Sequence, residues 1–340
     1  MVPDRLCRTA QNQDVRPGNP DICARECTND CCRHIQSLAF YSHECFERGP
    51  GGDIIVHMYT RRDLVRFALA TPIVSALAAI DSKIDGVMIG AQSYSFRDMS
   101  LDKAIGAMKD IGLGYCELWE GHVAPPEDNA AATKEFRDNP PFDKLHEVRK
   151  QFDDAGIVLY AFNYSFRDEF TDDEIDKGFQ MAKALGVNKI TASSNVDVSP
   201  RADKYAQKYH IYVGFHNHDS MKKNEFSTPD DFATAMKGRS KYICINLDIG
   251  HFTAAGFDPV SFLEQHHDRI LTLHIKDRKK NHGDNMPFGQ GETKIREVLQ
   301  VLKTKHYPIP AMIEYEYGKE GMDTVAEVRK CFEFMKNALA

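Results

Sequence analysis

The chain has no excess of positive charge, one tryptophan and no apolar run long enough for a membrane span. Its 340 residues carry a net charge of −7, which argues against nucleic acid as a ligand, because that binding depends on clustered Lys and Arg side chains. The basic stretch KDRKKNH is short and is typical of a solvated loop. The apolar stretch at residues 67–79 is shorter than the roughly 20 residues that a spanning helix needs. The 42% of apolar residues is nevertheless enough for a large core.

Cysteine is concentrated at the start of the chain and scarce elsewhere. Six of the nine cysteines fall within residues 1–57: Cys7, Cys23, Cys27, Cys31, Cys32 and Cys45. Their spacing lacks the C-x2-C pairing that indicates a zinc module, and the segment has no sustained helical or strand period. We interpret residues 1–57 as an upstream extension before a natural start at Met58. A disordered Cys-rich segment and a folded cysteine module are the alternatives.

The next segment, residues 58–79, has the layout of an export signal. Arg61 and Arg62 form a short basic head, the apolar stretch follows, and ALA supplies a small-x-small cleavage pattern. We predict a twin-arginine-type signal peptide and export to a bacterial periplasm. The alternative is a core or amphipathic helix that happens to begin with two arginines, in which case the protein is cytoplasmic.

From residue 86 to the end, short apolar runs alternate with segments of helical period. This alternation is typical of a parallel sheet with crossover helices. Several helical segments end in Gly, the favoured residue just past a helix C-terminus. The eight predicted strands are GVMIGAQSY, GYCELWE, IVLYAFNY, KITASS, IYVGFHNH, YICINLDIG, ILTLHIKD and PAMIEYEY. Eight such units predict an α/β fold, a (β/α)8 TIM barrel over residues 86–340. A doubly wound sheet is the alternative.

Ligand-type side chains stand at the ends of the last four predicted strands. In a TIM barrel the carboxyl ends of the strands form the active-site face. Apolar neighbours flank Asp248, His274 and Glu314, so the two-residue period of a strand directs these side chains towards the barrel axis. Burying unpaired charges there would cost several kcal/mol. The sequence therefore predicts a divalent metal site with the ligands His216, Asp248, His274 and Glu314.

Together with the glycine-rich PFGQGE, the motifs HNHD, LDIGH, LHIKDR and IEYE resemble the xylose-isomerase-like TIM barrel superfamily over residues 86–340. This group contains sugar phosphate isomerases and epimerases and the apurinic endonucleases of family 2. The resemblance implies metal ligation by the four residues just named. It also implies that His251, in the Asp-x-x-His pair, contacts the substrate. Glu316 is the weaker candidate ligand in IEYE.

The fifth strand departs from the family pattern, because His216 stands where the epimerases have Glu. Mixed nitrogen and oxygen ligands suit Mn, Co, Zn or Fe better than Mg. In the epimerases two metal-bound glutamates flank the substrate as opposed acid and base, and here Glu314 alone is expected in that role. Two-sided epimerisation is therefore in doubt. Ketose–aldose isomerisation and β-elimination, which need one base, remain open.

Further polar residues near the strand ends are candidates for catalysis or binding. Glu117 is a candidate base, with a structural ion pair as the alternative. Lys276 is a candidate for holding a hydroxyl or a developing oxyanion, with a salt bridge near Asp277 as the alternative. The candidate substrate-binding residues are His218, Gln92, Tyr94 and Glu316.

Two further features have both a functional and a structural interpretation. Trp119 offers either a face for a sugar ring or a core side chain. The turn GQGE at residues 289–292 is either a phosphate cradle or a tight turn.

These observations predict a divalent-metal-dependent isomerase or epimerase. It would abstract a proton next to a carbonyl or hydroxyl bound to the metal. Export favours a free sugar, a keto sugar or a glycoside derivative, because sugar phosphates are kept in the cytoplasm. The alternatives are a lyase or dehydratase with the same metal site, an endonuclease-like nuclease, and a sugar-binding barrel without turnover. The expected partner is a small carbohydrate, with neither nucleic acid nor a stable membrane span after signal removal, and homodimerisation is left open.

Overall fold

The computed structural model describes residues 45–48, 54–57, 79–126 and 128–340. The predicted signal peptide and most of the Cys-rich segment lie outside these residues. The chain divides into two units, residues 1–74 and 75–340. In the first unit, strand Cys45–Arg48 pairs antiparallel with strand Ile54–His57.

The second unit is built around a closed sheet of eight parallel strands. The strands are β1 (Val87–Gln92), β2 (Tyr115–Trp119), β3 (Val158–Asn163), β4 (Lys189–Ala192), β5 (Tyr212–His216), β6 (Ile243–Asp248), β7 (Ile270–Ile275) and β8 (Ala311–Ile313). Each strand pairs with its neighbour in sequence, and β8 pairs with β1, so the sheet has no open edge. The predicted TIM barrel is confirmed. Each of the eight predicted apolar runs contains one of these strands.

Helices connect the strands. They are α1 (Leu101–Ile111), α2 (Ala130–Asp138), α3 (Phe142–Ala155), α4 (Asp172–Ala184), α5 (Ser199–Tyr209), α6 (Pro229–Met236), α7 (Ile249–Ala254), α8 (Pro259–His266), α9 (Ile295–Lys305) and α10 (Thr324–Leu339). Short 3-10 turns occupy Ser93–Phe96, Glu120–His122 and Val196–Val198. Two short antiparallel strands, Asp277–Arg278 and Asn285–Met286, form a hairpin after β7. The sequence pattern did not predict α2 or α7.

Local sequence explains where several helices begin and end. Gly112 and Gly156 close α1 and α3 at φ +93° and +71°, a left-handed conformation that a residue without Cβ adopts freely. Helix α4 begins with a capping box, in which Thr171 and Glu174 satisfy each other's backbone N–H groups.

The segment just before β1 covers the amino-terminal end of the barrel. Strand Lys83–Ile84 pairs antiparallel with the start of β1. Ser82 donates a hydrogen bond to Ile89 O and accepts one from Gly114 N. The backbone N–H of Ile80 donates to Gly156 O at 2.9 Å. Within the described residues, contacts with the barrel therefore extend back to Ile80.

The register of the parallel strands brings the predicted ligands to the same end of the barrel. Asp248 pairs with His274 across β6 and β7. Ile275 pairs with Ile313, the residue before Glu314. Among the helices of the described residues, none combines the length and apolar character needed to cross a bilayer.

Candidate active site

Four buried side chains converge at the carboxyl end of β5–β8. His216 and Asp248 end β5 and β6, His274 lies in β7, and Glu314 follows β8. Each offers one ligand atom within 4.8 Å of those of the other three. His216 Nε2 lies 3.5 Å from Asp248 Oδ2 and 3.8 Å from Glu314 Oε2. His274 Nδ1 lies 3.1 Å from Glu314 Oε2. The structure thus places the four predicted metal ligands together.

The polar atoms of this group fit a bound cation. His216 Nε2 and Asp248 Oδ2 face each other and make no hydrogen bond among the described residues, although Lys276 Nζ lies at ion-pair distance, 3.2 Å, from Asp248 Oδ2. Buried polar atoms are normally hydrogen-bonded, and a metal ion would supply a partner for both. Two carboxylates with two imidazoles form a set that suits a borderline divalent ion.

Opposite charges control ionisation in the group. Burial would lower the pKa of His274, but the carboxylates of Glu117 and Glu314 outweigh it and raise that pKa well above its usual range. Burial would raise the pKa of Asp248, but Lys276 and His251 outweigh it and hold that pKa well below the usual range. The carboxylates are therefore ionised in a buried site, and protons on the imidazoles would compete with a metal ion.

Glu117 on β2 lies beneath the group. Its carboxylate oxygens are 2.9 and 3.0 Å from His274 Nε2, and it accepts a hydrogen bond of 2.7 Å from Thr191 Oγ1. His274 Nδ1 is thereby left for Glu314 and for a metal ion. A carboxylate that holds the second nitrogen of a ligating histidine fixes the tautomer and the ring orientation. This position favours the structural interpretation of Glu117 over its role as base.

Lys276, two residues beyond His274, is buried among carboxylates. Its Nζ lies 3.2 Å from Asp248 Oδ2, 2.9 Å from Glu314 Oε2 and 2.6 Å from Glu316 Oε2. Burial would lower the pKa of Lys276, but these carboxylates raise it above its usual range, so the side chain is an ammonium ion. Its salt bridges are made with these residues and not near Asp277.

Asp277 instead fills the turn at residues 289–292. Its carboxylate accepts hydrogen bonds from the backbone N–H groups of Gly289, Gly291 and Thr293, at 2.8, 2.9 and 3.2 Å. A Cβ at Gly291 would lie 2.0 Å from Asp277 Oδ1, so glycine is needed there. The phosphate-cradle interpretation of GQGE is wrong, because the donors that would bind the phosphate are already bound to a carboxylate.

His251 links Lys276 to a second group of charges. Lys276 Nζ lies 3.0 Å from His251 Nε2, and His251 Nδ1 lies 3.1 Å from Asp219 Oδ1. The Arg278 guanidinium donates to the same Asp219 oxygen at 2.6 Å. Arg278 Nη1 also lies 2.6 Å from His251 Nδ1, so each ring nitrogen faces a cationic donor and Nδ1 faces a carboxylate as well. Burial and Lys276 lower the pKa of His251, which keeps the ring neutral.

Sequence reasoning missed Asp219 and Arg278 as members of the site. Both stand inside the motifs HNHD and LHIKDR, and each lies just beyond a strand end. A charged residue at a strand end of a barrel was therefore the available signal.

A cavity of about 270 Å³ lies above the group. His218, Gln92, Tyr94 and Glu316, the four predicted substrate-binding residues, all line it. The Gln92 side-chain oxygen accepts a hydrogen bond from Tyr94 N, so this part of the amide shapes the turn after β1.

Trp119 also lines the cavity, and its indole packs edge-on to the Tyr94 ring at 5.1 Å. This half-buried position favours the sugar-contacting interpretation over the core one. Arg167 and Ser193 line the cavity as well and were not predicted.

Residues 105–338 match the family described as the xylose isomerase-like TIM barrel. The chain belongs to this family. Among curated relatives, the L-ribulose-5-phosphate 3-epimerase UlaE of Escherichia coli is 31% identical over 93 residues, which are 27% of this chain and 32% of the relative. The aligned part spans about a third of that relative.

Two solved structures show the same fold. The apo form of the 3-keto-D-glucoside 4-epimerase YcjR from E. coli is 13% identical, with a TM-score of 0.57 over 74% of this chain and 99% of that chain. The IOLI protein with a bound zinc atom is 17% identical, with a TM-score of 0.58 over 74% of this chain and 98% of that chain.

Proposed function

We propose that the protein is a divalent-metal-dependent sugar isomerase or epimerase that abstracts a proton from a free or keto sugar. The observation that carries this proposal is the convergence of His216, Asp248, His274 and Glu314 beneath a cavity, with two buried polar atoms that make no hydrogen bond among the described residues. Membership of a family whose curated relatives include an epimerase supports the same class of reaction.

The four converging residues would hold the metal ion, His274 through Nδ1 with Glu117 fixing its ring. Such an ion acts as a Lewis acid that makes a proton next to a carbonyl easier to remove. Mn, Co, Zn or Fe fits this mixed donor set better than Mg.

Glu314 is the proposed base. Burial would raise the pKa of Glu314, but Lys276 and His274 outweigh it and hold that pKa well below its usual range, so the carboxylate can accept a proton. In an isomerisation, Glu314 takes the C–H proton next to the carbonyl and returns it to the former carbonyl carbon. The neighbouring hydroxyl proton meanwhile moves to the former carbonyl oxygen.

Lys276 and His251 are the proposed groups that stabilise charge on oxygen. The positive charge of Lys276 can stabilise a nearby oxygen that becomes negative, while Asp219 holds the His251 ring. A neutral His251, which lines the cavity, can also contact a substrate hydroxyl, as the Asp-x-x-His motif implies.

A lyase is the second candidate, because one flanking carboxylate of the epimerases is replaced by His216. The same deprotonation by Glu314 would then be followed by loss of an oxygen substituent from the next carbon, which leaves with a proton. Glu316, held by Lys276 at 2.6 Å, is the other carboxylate on the cavity wall near this group.

The test is metal analysis of the purified protein followed by NMR of a sugar panel in deuterated water. We expect about one divalent ion per chain and exchange of a sugar C–H for deuterium. A product with the same formula indicates an isomerase, and a product that lacks a substituent indicates a lyase. Metal-loaded protein that exchanges no C–H in any sugar would contradict the proposal.

We also propose that residues 58–79 direct export and that the barrel folds without them. Ile80 and Ser82 already make hydrogen bonds to the barrel, so a chain that begins at Ile80 keeps these contacts. A shortened chain that begins at Ile80 should match the full chain in thermal unfolding and metal content. If removing residues 1–79 prevents folding, the leader interpretation fails.

A further inference from the structure

A second cavity, of about 280 Å³, adjoins the one above the metal ligands. It lies between the chain after β2, helix α2 and the chain after β3. Glu120, Ser165 and Arg167 line both cavities, so the two lie side by side, and we refer to them together as the cleft. The cleft offers more room than a single reacting sugar at the metal ligands would need.

The wall of the second cavity combines aromatic rings with paired charges. Phe136, Tyr164 and Phe170 supply the rings. The Arg137 guanidinium lies 4.5 Å from the centre of the Phe170 ring, and its Nε is 3.0 Å from Glu174 Oε1. Flat apolar faces beside hydrogen-bonding groups are typical of sites that hold a sugar ring.

The charges in this part of the cleft do not favour a phosphate. Arg137 is paired with Glu174, and Arg167 Nη1 donates to Ser193 O at 2.8 Å. The carboxylates of Glu120 and Glu169 line the same cavity. At the opposite side of the barrel mouth, the turn at residues 289–292 is filled by Asp277. A neutral ligand therefore fits this cavity better than an anion.

Tyr164 carries an independent sign of a missing ligand. Its side chain lines the cavity and is 1% exposed, and its hydroxyl has no hydrogen-bond partner among the described residues. Burial raises the pKa of this phenol above its usual range, so it remains a neutral donor. A buried hydroxyl without a partner is unfavourable unless a ligand supplies one.

Close packing fixes the position of this phenol. A Cβ at Gly178 in α4 would lie 2.5 Å from the Tyr164 ring, so glycine lets the ring pack directly against the helix. The ring also stacks on Phe162 at 5.7 Å and meets the edge of Phe166 at 5.4 Å. The hydroxyl is thus held in place before any ligand arrives.

We propose that the second cavity is a subsite for the second ring of a glycoside, with the Tyr164 hydroxyl as one of its hydrogen-bonding groups. The substrate class is then a disaccharide or another neutral glycoside, whose reacting sugar lies above His216 and Glu314. This inference rests on the proposed function, because it takes the first cavity to hold a sugar.

The experiment is equilibrium binding to the metal-loaded full chain, followed by the fluorescence of Trp119, the chain's single tryptophan, which lines the first cavity. The probes are D-glucose, D-galactose, D-xylose, glucose 6-phosphate, and the disaccharides cellobiose, maltose, lactose and xylobiose. Calorimetry checks each titration. At least one disaccharide should bind about tenfold or more tightly than its parent sugar.

Two matched variants test whether the tighter binding of the disaccharide depends on the Tyr164 hydroxyl. Tyr164→Phe should weaken binding of that disaccharide about fivefold to tenfold and leave the parent sugar unchanged, since it removes one hydroxyl and keeps the ring. Tyr160→Phe is the control, because Tyr160 lies on β3, four residues before Tyr164, and its hydroxyl donates to Leu271 O, away from both cavities. The control should change neither affinity.

Several outcomes would overturn the subsite. They are equal affinities for disaccharides and parent sugars, no binding of any disaccharide, tightest binding of glucose 6-phosphate, and an equal effect of Tyr164→Phe on both ligands. The proposed function fails separately. Tight disaccharide binding without C–H exchange would support the subsite and contradict the proposed enzymatic function. Exchange in free sugars without disaccharide binding would support the function and contradict the subsite.

Discussion

The two halves of the barrel mouth differ in the kind of polar group that they bury. The half formed by β5–β8 carries ionisable side chains: His216, Asp248, His274, Lys276 and Glu314. The half formed by β1–β4 carries mostly neutral ones, such as Gln92, Asn163 and Thr191, beside the aromatic rings of Trp119 and Tyr164. Groups that can move protons or hold a cation are thus separated from groups that can hold a ligand by its hydroxyls and ring faces.

Glu117 is an exception to this division between an ionic half and a neutral half of the barrel mouth. It is on β2, yet its carboxylate contacts His274 on β7 across the barrel. Buried charges are tolerated when they are paired and hydrogen-bonded, and each carboxylate of this site lies within ion-pair distance of a lysine or histidine. The ionic half therefore depends on one residue of the neutral half for the orientation of a ligand.

The largest expected effect comes from removing a ligand in the ionic half. Asp248→Asn and His274→Ala should each reduce metal content from about one ion per chain to near zero, because a site of four ligands loses one of its strong donors. Metal analysis after dialysis is the measurement. Asn163→Ala, in the neutral half, is the control and should retain the ion. Full metal content in both ligand variants would refute the site.

Glu117→Gln tests whether this carboxylate of the neutral half orients the metal ligand His274. We expect metal affinity to fall about 10-fold to 100-fold, because His274 loses the carboxylate that orients it. Deuterium exchange should return when metal is added in excess. Glu174→Gln alters another buried carboxylate, which is paired with Arg137, and should leave metal affinity unchanged. Exchange that stays absent at saturating metal would instead identify Glu117 as the base.

A smaller effect should separate His216 from His218. The rings lie 4.8 Å apart, but β5 ends at His216, so His218 reaches the cavity from beyond the strand. His216→Glu should keep the metal and shift the reaction towards epimerisation or reduce it, since it restores a second flanking carboxylate. His218→Ala should keep the metal and weaken sugar affinity about tenfold. Metal lost from His218→Ala but not from His216→Ala would mean that the two roles are reversed.

The smallest expected effect is on stability, and it comes from the charge of Asp219, which lies beside His251 and Arg278. His251 and Arg278 lower the pKa of Asp219. This carboxylate therefore contributes stability that is complete above its unfolded pKa of about 3.9 and is lost as the pH falls further. Asp219→Asn should destabilise the protein by about 1 kcal/mol at pH 7, with solvent screening allowed for. The difference should shrink below about pH 4.

Thermal unfolding at several pH values measures this effect. Asp173→Asn is the control, because Asp173 is exposed and pairs with Lys177 on the surface of α4. A difference between Asp219→Asn and wild type that is constant with pH would show that the Asp219 charge is not responsible.

The sequence predicted the parts of this site that depend on local pattern. Apolar flanks around Asp248, His274 and Glu314 correctly indicated inward-facing side chains, because strand alternation is a local property. The contact between Glu117 and His274 joins residues 157 positions apart, and the contact between Arg278 and Asp219 joins residues 59 apart. No spacing in the sequence carries that information, since barrel closure brings these residues together.

The failure to predict helices α2 and α7 from the sequence also has physical reasons. Helix α2 buries one residue, Phe136, so its sequence has few large apolar residues to mark an inner face. Helix α7 begins directly after Asp248, whose side chain accepts a hydrogen bond from His251 N. The apolar run of β6 continues into it without a turn residue, which made strand and helix look like one element.

Asp277 has a consequence for how fast a ligand can bind. Because its carboxylate holds the backbone of Gly289, Gly291 and Thr293, the chain between the hairpin after β7 and helix α9 is folded back before a sugar arrives. Closing a loose loop around a ligand costs conformational entropy and adds a step to association. In this segment that step is not needed, because Asp277 holds the turn closed within the folded chain.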